Sequence, residues 1–185
     1  MNKLKWKAGT MVYPLPAVMV SCGDFNNANI ITVAWTGTIC TNPAMTYISI
    51  RPERYSYDII KNTGEFVINL TTKKLARSTD FAGVRSGKDI NKFEVLKLTK
   101  EKANEVNVPL IKESPINIEC KVTEIKELGS HHMFIAKVLC VDVDEKYLDK
   151  TGRLNMEKCG LIAYSHGQYF ELGESLGRFG FSVKK

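Results

Sequence analysis

The sequence predicts a mainly β protein, a barrel of short strands with a few brief helices. Three observations lead there. Short β-branched and aromatic runs recur at close spacing along the chain, separated by turn clusters, with only brief helical patterns between them. Two long strands, Ile116 to Leu128 and Met133 to Val143, are joined directly at Gly129-Ser130, which makes an antiparallel pair and not a βαβ unit. No Gly-x-Gly-x-x-Gly follows a strand, which argues against a dinucleotide-binding α/β sheet.

The central stretch runs from Asn29 to Arg51. It reads as two strands, Ile30 to Cys40 and Met45 to Arg51, around an Asn42-Pro43 turn, because Pro43 cannot donate to a ladder. The first of these is unusually polar: Thr32, Thr36, Thr38 and Thr41 interrupt Val33, Trp35, Ile39 and Cys40, and Gly37 lies mid-strand. A glycine inside a strand marks a bulge or a close approach to the backbone. The stretch therefore offers amides and hydroxyls to a flat ligand with a polar edge.

The remaining elements follow in chain order. Ala17 to Gly23 is a first strand, and Asp24 to Asn29 is a turn cluster that delivers the chain into the central stretch. Tyr55 to Asn62 carries Ile59 and Ile60 and ends at Gly64, so it is a short helix with a glycine C-cap. Glu65 to Leu70 is a buried strand. Thr72 to Phe81 is helical, with Leu75 and Ala76 inward and Lys73, Lys74 and Arg77 outward. Gly83 to Phe93 is a loop carrying Arg85, Ser86, Gly87, Lys88 and Lys92. Lys97 to Lys112 is irregular and polar. In Ile116 to Leu128 the residues Ile116, Ile118, Cys120 and Val122 face one way, and Asn117, Glu119, Lys121 and Thr123 the other. Leu161 to Phe181 is rich in glycine and aromatics.

At 185 residues, with 44% hydrophobic and 25% charged residues, the chain is expected to be one domain, 1–185. Its core would span about 12–145, and the C-terminal segment 146–185 would cover a site or a dimer interface. No apolar run approaches the ~20 residues of a membrane span, and the basic N-terminus lacks the apolar region of a signal peptide. A cytoplasmic location is the expectation, with no membrane partner. The net charge is +6, but the lysines are scattered and no aromatics interleave with a basic cluster. The charge is read as a solvated surface with some pull on anions and not as a nucleic-acid interface. Five cysteines, Cys22, Cys40, Cys120, Cys140 and Cys159, form no CxxC pair and are read as reduced thiols, with no metal site. Cys40 stands out because it lies on the proposed ligand strand. No nucleophile elbow or Walker loop is present, so hydrolase and kinase readings have no support.

Several motifs recur in a fixed order. They are Asn29-x-x-Thr32-Val33-Ala34-Trp35-Thr36, Asn42-Pro43-Ala44-Met45, Arg51-Pro52-x-Arg54-Tyr55-Ser56, Gly64-Glu65-Phe66-Val67-Ile68-Asn69, Ser86-Gly87-x-x-x-x-Lys92-Phe93 and Gly129-Ser130-His131. Together they cover nearly the whole chain, and the set resembles the flavin reductase-like, FMN-binding split-barrel family, in particular its flavoredoxin-type branch. The resemblance implies a Greek-key split β-barrel, one FMN per subunit and a homodimer with the cofactor where two subunits meet.

The resemblance also implies site residues. Asn29, Thr32, Val33, Ala34, Trp35 and Thr36 would meet the flavin ring and ribityl chain. Arg51, Arg54, Ser56, Ser86 and Lys92 are candidates for the phosphate, with Ser56 and Lys92 favoured. Several alternatives stand beside these. Arg51 and Arg54 could instead be solvated, Ser56 could cap its helix, Trp35 could be a core residue, and the aromatics Tyr164, Tyr169 and Phe170 are read as packing or dimer contacts. His131 would approach the flavin as a candidate catalytic residue, although the His131-His132 pair could be purely structural. Related flavin reductases carry Asp where this chain has Ser130, which sets direct NAD(P)H use apart from the rest. The implied functions are electron transfer with a redox partner protein, an NAD(P)H-dependent flavin or ferric-complex reductase, or a flavin carrier or sensor without turnover.

Overall fold

A computed structural model describes residues 2–183. The strands are β1 (Leu15–Pro16), β2 (Val18–Cys22), β3 (Asn29–Val33), β4 (Thr36–Cys40), β5 (Met45–Ile50), β6 (Glu65–Leu70), β7 (Lys100–Glu101), β8 (Leu110–Ile111), β9 (Ile116–Leu128), β10 (His131–Val143), β11 (Ile162–Ser165) and β12 (Gln168–Glu171). Three helices accompany them: α1 (Tyr55–Thr63), α2 (Ala76–Val84) and α3 (Lys92–Val95). Seven strands form one antiparallel sheet in the order β3-β2-β6-β9-β10-β5-β4. The edge strands β3 and β4 are consecutive in sequence, so the sheet must curl until its two edges almost meet. The fold is the expected mainly β Greek-key split barrel, and the split lies between β3 and β4.

This corrects one expectation. Ile30 to Cys40 is not a single strand, because the chain bends at Ala34-Trp35 and passes from one sheet edge to the other. The local sequence is continuous in β propensity, and only the closure of the barrel forces the break. Inside the barrel, Val18, Val20, Ile48, Ile50, Phe66, Cys120, Phe134 and Ala136 form the main core, with Tyr57 and Ile60 of α1 plugging one end. Gly64 takes a left-handed conformation (φ 67°) and its N–H returns to the Ile60 carbonyl, the expected C-cap.

Other boundaries also move. Thr72 is a cap, its hydroxyl accepting from Leu75 N–H, and a 3-10 turn at Lys73–Leu75 precedes α2. α2 continues to Val84, and Lys92 and Phe93 belong to the short helix α3, so the loop is confined to 85–91. The 97–112 segment is irregular as expected but not solvated: Ala103, Val106, Val108 and Leu110 pack on Val67. In doing so the segment covers the second face of β9, and Asn117 and Glu119 are buried.

Glu119 is 0% exposed, and its carboxylate accepts from the backbone N–H groups of Asn104, Glu105 and Val106 at 2.7–2.9 Å. Asn69 donates to Met19 O and accepts from Ile111 N–H and from Asn117. These bonds explain why polar residues at strand spacing are tolerated inside. The tail forms a second, three-stranded sheet, β1-β11-β12. Among the described residues no helix is long and apolar enough to cross a membrane.

Candidate functional site

The break between β3 and β4 opens a cleft of about 300 Å³. Its floor is the crossover itself, Thr32 to Trp35. The turn is fixed at both ends, with Thr36 N–H donating to the Ala34 carbonyl at 3.0 Å and Ser49 N–H to the Trp35 carbonyl at 2.8 Å. One wall is built from Ser49, Arg51 and His131 at the adjoining ends of β5 and β10. The Trp35 and His131 rings lie parallel, 6.2 Å between centroids and 8° between planes, an offset stack. Burial, then the Arg51 guanidinium, lowers the pKa of His131 and so favours the neutral ring.

The opposite wall combines α2 with the tail hairpin: Asp80, Gly83, Tyr164 and Tyr169. Tyr169 Oη donates to the Asp80 carboxylate at 3.3 Å, and burial, then Asp80, pushes the phenol up to about 12. Lys73 pairs with Glu171 at 2.7 Å, a second tie between hairpin and the start of α2. At Gly83, α2 passes so near β3 that a Cβ would sit 3.2 Å from Thr32 Cβ. Thr32 donates its hydroxyl to the Thr79 carbonyl, closing that seam.

A second cleft, about 160 Å³, continues from the first and shares Ile31, Arg54 and Gly83 with it. It is polar and cationic. Lys92, 3% exposed, donates its Nζ to the carbonyls of Ile30 (2.6 Å) and Ala82 (2.7 Å), which leaves one of the three ammonium protons for the cleft. Burial pushes this amine down to about 8. Asn29 Nδ2 donates to Ser56 Oγ at 2.8 Å, both groups buried, and Gly87 lies directly against the Asn29 carboxamide. Arg85 and Ser86 close the rim. The N-terminus of α1 also borders this cleft through Tyr55 and Ser56, and its N-cap Arg54 makes no side-chain cap bond. First-turn amides, a helix dipole and three cations thus converge on one small volume against a single carboxylate, Glu53, a net positive arrangement suited to an anion.

The profile of the flavin reductase-like domain matches residues 10–173. The chain belongs to the flavin reductase-like family. Flavoredoxin of Desulfovibrio vulgaris (Miyazaki F) superposes with a TM-score of 0.90 at 32% identity, over the whole of both chains. Flavoredoxin from Methanosarcina acetivorans shares the fold, with a TM-score of 0.89 at 23% identity, again over both whole chains. An uncharacterized protein of Archaeoglobus fulgidus is 33% identical over 144 residues, 78% of this chain and 81% of the relative. An uncharacterized protein of Pyrococcus abyssi is 32% identical over 168 residues, 91% and 96% of the two chains.

The candidate residues of this flavin reductase-like chain divide between the two clefts. Asn29, Ser56, Ser86 and Lys92 line the small one, while Thr32, Val33, Ala34, Trp35, Arg51 and His131 line the large one. Arg54 lines both. Arg51 therefore stands apart from the cationic cluster it was grouped with, at the ring-lined end. Thr36 lines neither cleft; it is buried and donates its hydroxyl to the Tyr47 carbonyl. Ser56 is not a helix cap, since it lies inside the first turn of α1. All five cysteines are free, and Cys40 lines neither cleft.

Sequence reasoning missed Asp80, Arg85 and Ser49, and read Tyr164 and Tyr169 as packing or dimer contacts. Nothing local marks these positions. The two tyrosines reach the cleft because β11 pairs with β1, with Leu15 opposite Tyr164, a contact between residues far apart in the chain.

Proposed function

We propose that the protein binds FMN and transfers electrons as a flavoredoxin-like carrier. One observation carries this reading: a ring-lined cleft adjoins a small, mainly cationic cup, and Ile31, Arg54 and Gly83 line both. FMN has the matching parts, a flat ring system joined by a polar chain to a single phosphate. The residues present fit it. Lys92 has one undirected proton and lies beside Ser56 and the open end of α1. Lys92, Ser56, Arg54 and Ser86 would hold the phosphate. Trp35, Tyr164 and the backbone of Thr32 to Trp35 would bound the ring and keep water from it.

Bound there, the flavin supplies one- and two-electron chemistry. The chain's own contribution is position and field. Arg51 and Arg54 favour negative charge in the ring cleft, and neutral His131 offers a hydrogen-bonding nitrogen and a flat face without adding charge. Likeness to Desulfovibrio flavoredoxin at 32% identity supports the same reading. The working unit in this proposal is a homodimer, since the tail leaves Leu172, Leu176, Phe179 and Phe181 exposed. The purified protein should be yellow, and denaturation should release FMN and not FAD. A colourless protein with no micromolar affinity for either flavin would refute it.

The position of His131 beside Trp35 favours a second reading, an NAD(P)H-dependent reductase. Steady-state oxidation of NADH or NADPH by the flavin-loaded protein distinguishes the two, and the carrier reading expects none.

A further inference from the structure

Arg51 is the cation that phosphate recognition leaves over. The small cleft already holds Lys92, Arg54 and Arg85, and Arg51 does not line it. Arg51 stands instead at the ring end, where the register His132 opposite Ile50 places His131 across from Arg51. Among the described residues it pairs with Glu53 at 3.3 Å, the two side chains 49% and 64% exposed. Exposed pairs of this kind hold a side chain weakly, so the guanidinium fork is available to a better partner. Ser49, two residues back on the same strand face, adds a hydroxyl to the same wall, and His131 adds an imidazole.

The other wall has the opposite sign. Asp80 faces the cleft from α2 and is held there as the acceptor of the Tyr169 hydroxyl. A charged flat molecule entering this cleft therefore meets attraction at one end and repulsion at the other. Arg54 also lines this cleft, at its junction with the cationic cup, so Arg51 is the cation that stands beside Ser49 and His131.

Building on the flavin assignment, we propose that Ser49, Arg51 and His131 form a carboxylate-binding subsite for a second ligand of the ring cleft. That ligand is a small, flat, conjugated molecule bearing a carboxylate at its edge. The carboxylate takes the Arg51 fork, the ring lies along the Trp35–His131 side, and Asp80 rejects the reversed orientation. The subsite selects among redox substrates by charge and not by ring chemistry.

Benzoate and its neutral isostere benzamide test this directly by calorimetric titration into the flavin-loaded protein, with loading checked first by absorbance. Benzoate should bind about tenfold tighter than benzamide or better, the weight of one charge-assisted contact. Arg51→Gln should bring the two level, Arg51→Lys should restore part of the preference, and Asp80→Asn should tighten benzoate further. Arg51 is half exposed, so these variants are expected to fold. Equal binding of the two compounds to the unsubstituted protein, absence of binding by either, or a preference that survives Arg51→Gln would overturn the subsite. A protein that takes up no flavin fails at the loading step instead. The same titration on the flavin-free chain then judges the subsite alone.

Discussion

Gly87 lies against the carboxamide of Asn29 so closely that a Cβ at that position would sit 2.0 Å from Oδ1 and 2.5 Å from Cγ. The loop 85–91 is therefore pressed onto a side chain that bonds Ser56, and small size at position 87 is a condition for the shape of the cationic cup.

Gly87→Ala should displace Asn29 and break its 2.8 Å bond to Ser56 while leaving the barrel core untouched. FMN affinity should fall by roughly tenfold, the weight of one good polar contact, and riboflavin affinity should fall less. Equal affinities for FMN in variant and parent would show that the Asn29–Ser56 pair has no part in binding.

Lys92 gives the binding a pH signature. Its amine sits at about 8 in the flavin-free protein because of burial, and a phosphate dianion beside it would raise that value. Binding above pH 8 must then take up a proton, so FMN affinity should weaken by up to about tenfold per pH unit there. Riboflavin, without a phosphate, should show no such slope. Lys92→Ala should abolish the slope and cost FMN about ten- to a hundredfold in dissociation constant. Titrations of both flavins between pH 7 and 10 check this.

The Glu119 anchor predicts a stability effect far from the clefts. Glu119→Ala would orphan three backbone N–H groups under the 97–112 segment and should cost about 3 kcal/mol or more. Asp142 nearby behaves oppositely. Burial, then the neighbouring Glu119, raises its pKa, and one of its buried oxygens has no hydrogen-bond partner among the described residues. A carboxyl raised in the folded state favours folding fully below its ordinary value of 3.8, and that advantage disappears as pH rises through the raised value. Asp142→Asn should thus stabilise the protein at pH 7, by on the order of 1 kcal/mol, and flatten the acid side of the stability curve. Urea unfolding at pH 4 and pH 7 measures both effects.

The tail makes an assembly prediction. Light scattering should give about twice the 20.8 kDa chain mass. Truncation after Glu171 removes the exposed Leu172, Leu176, Phe179 and Phe181 and should shift the mass toward the monomer. A parent protein that is monomeric at all concentrations would rule the dimer out.

Much of this architecture is legible in the sequence because its causes are local. Helix α1 ends where Gly64 supplies a left-handed residue, β9 and β10 meet at Gly129, and Pro43 separates β4 from β5. What is not legible depends on distant partners. The Ala34–Trp35 break has no sequence mark, since Ile30 to Cys40 is uniformly strand-like and only barrel closure divides it. The burial of Asn117 and Glu119 has no sequence mark, because alternation separates the two faces of β9 but cannot reveal the segment that folds over the second.

The site shows the same division. Of the phosphate candidates, Arg54, Ser56, Ser86 and Lys92 do converge on one cleft, joined there by Asn29, which was expected at the ring and ribityl chain. Arg51, a phosphate candidate too, lines the other cleft. Asp80 sits on a helix whose inward and outward faces are blurred, with few apolar residues to set its phase.

The placement of β3 and β4 at opposite ends of the seven-strand order has a consequence for how the chain acquires its ligand. Every strand pairing between those edges must be in place before Ala34 and Trp35 can form a floor, so partly folded species own no cleft. A flavin would then act only on the finished molecule, and by mass action at a hundredfold excess over its dissociation constant it adds about 2.7 kcal/mol to global stability. Hydrogen exchange in β3 and in β4, remote along the sheet, should slow together when ligand is added.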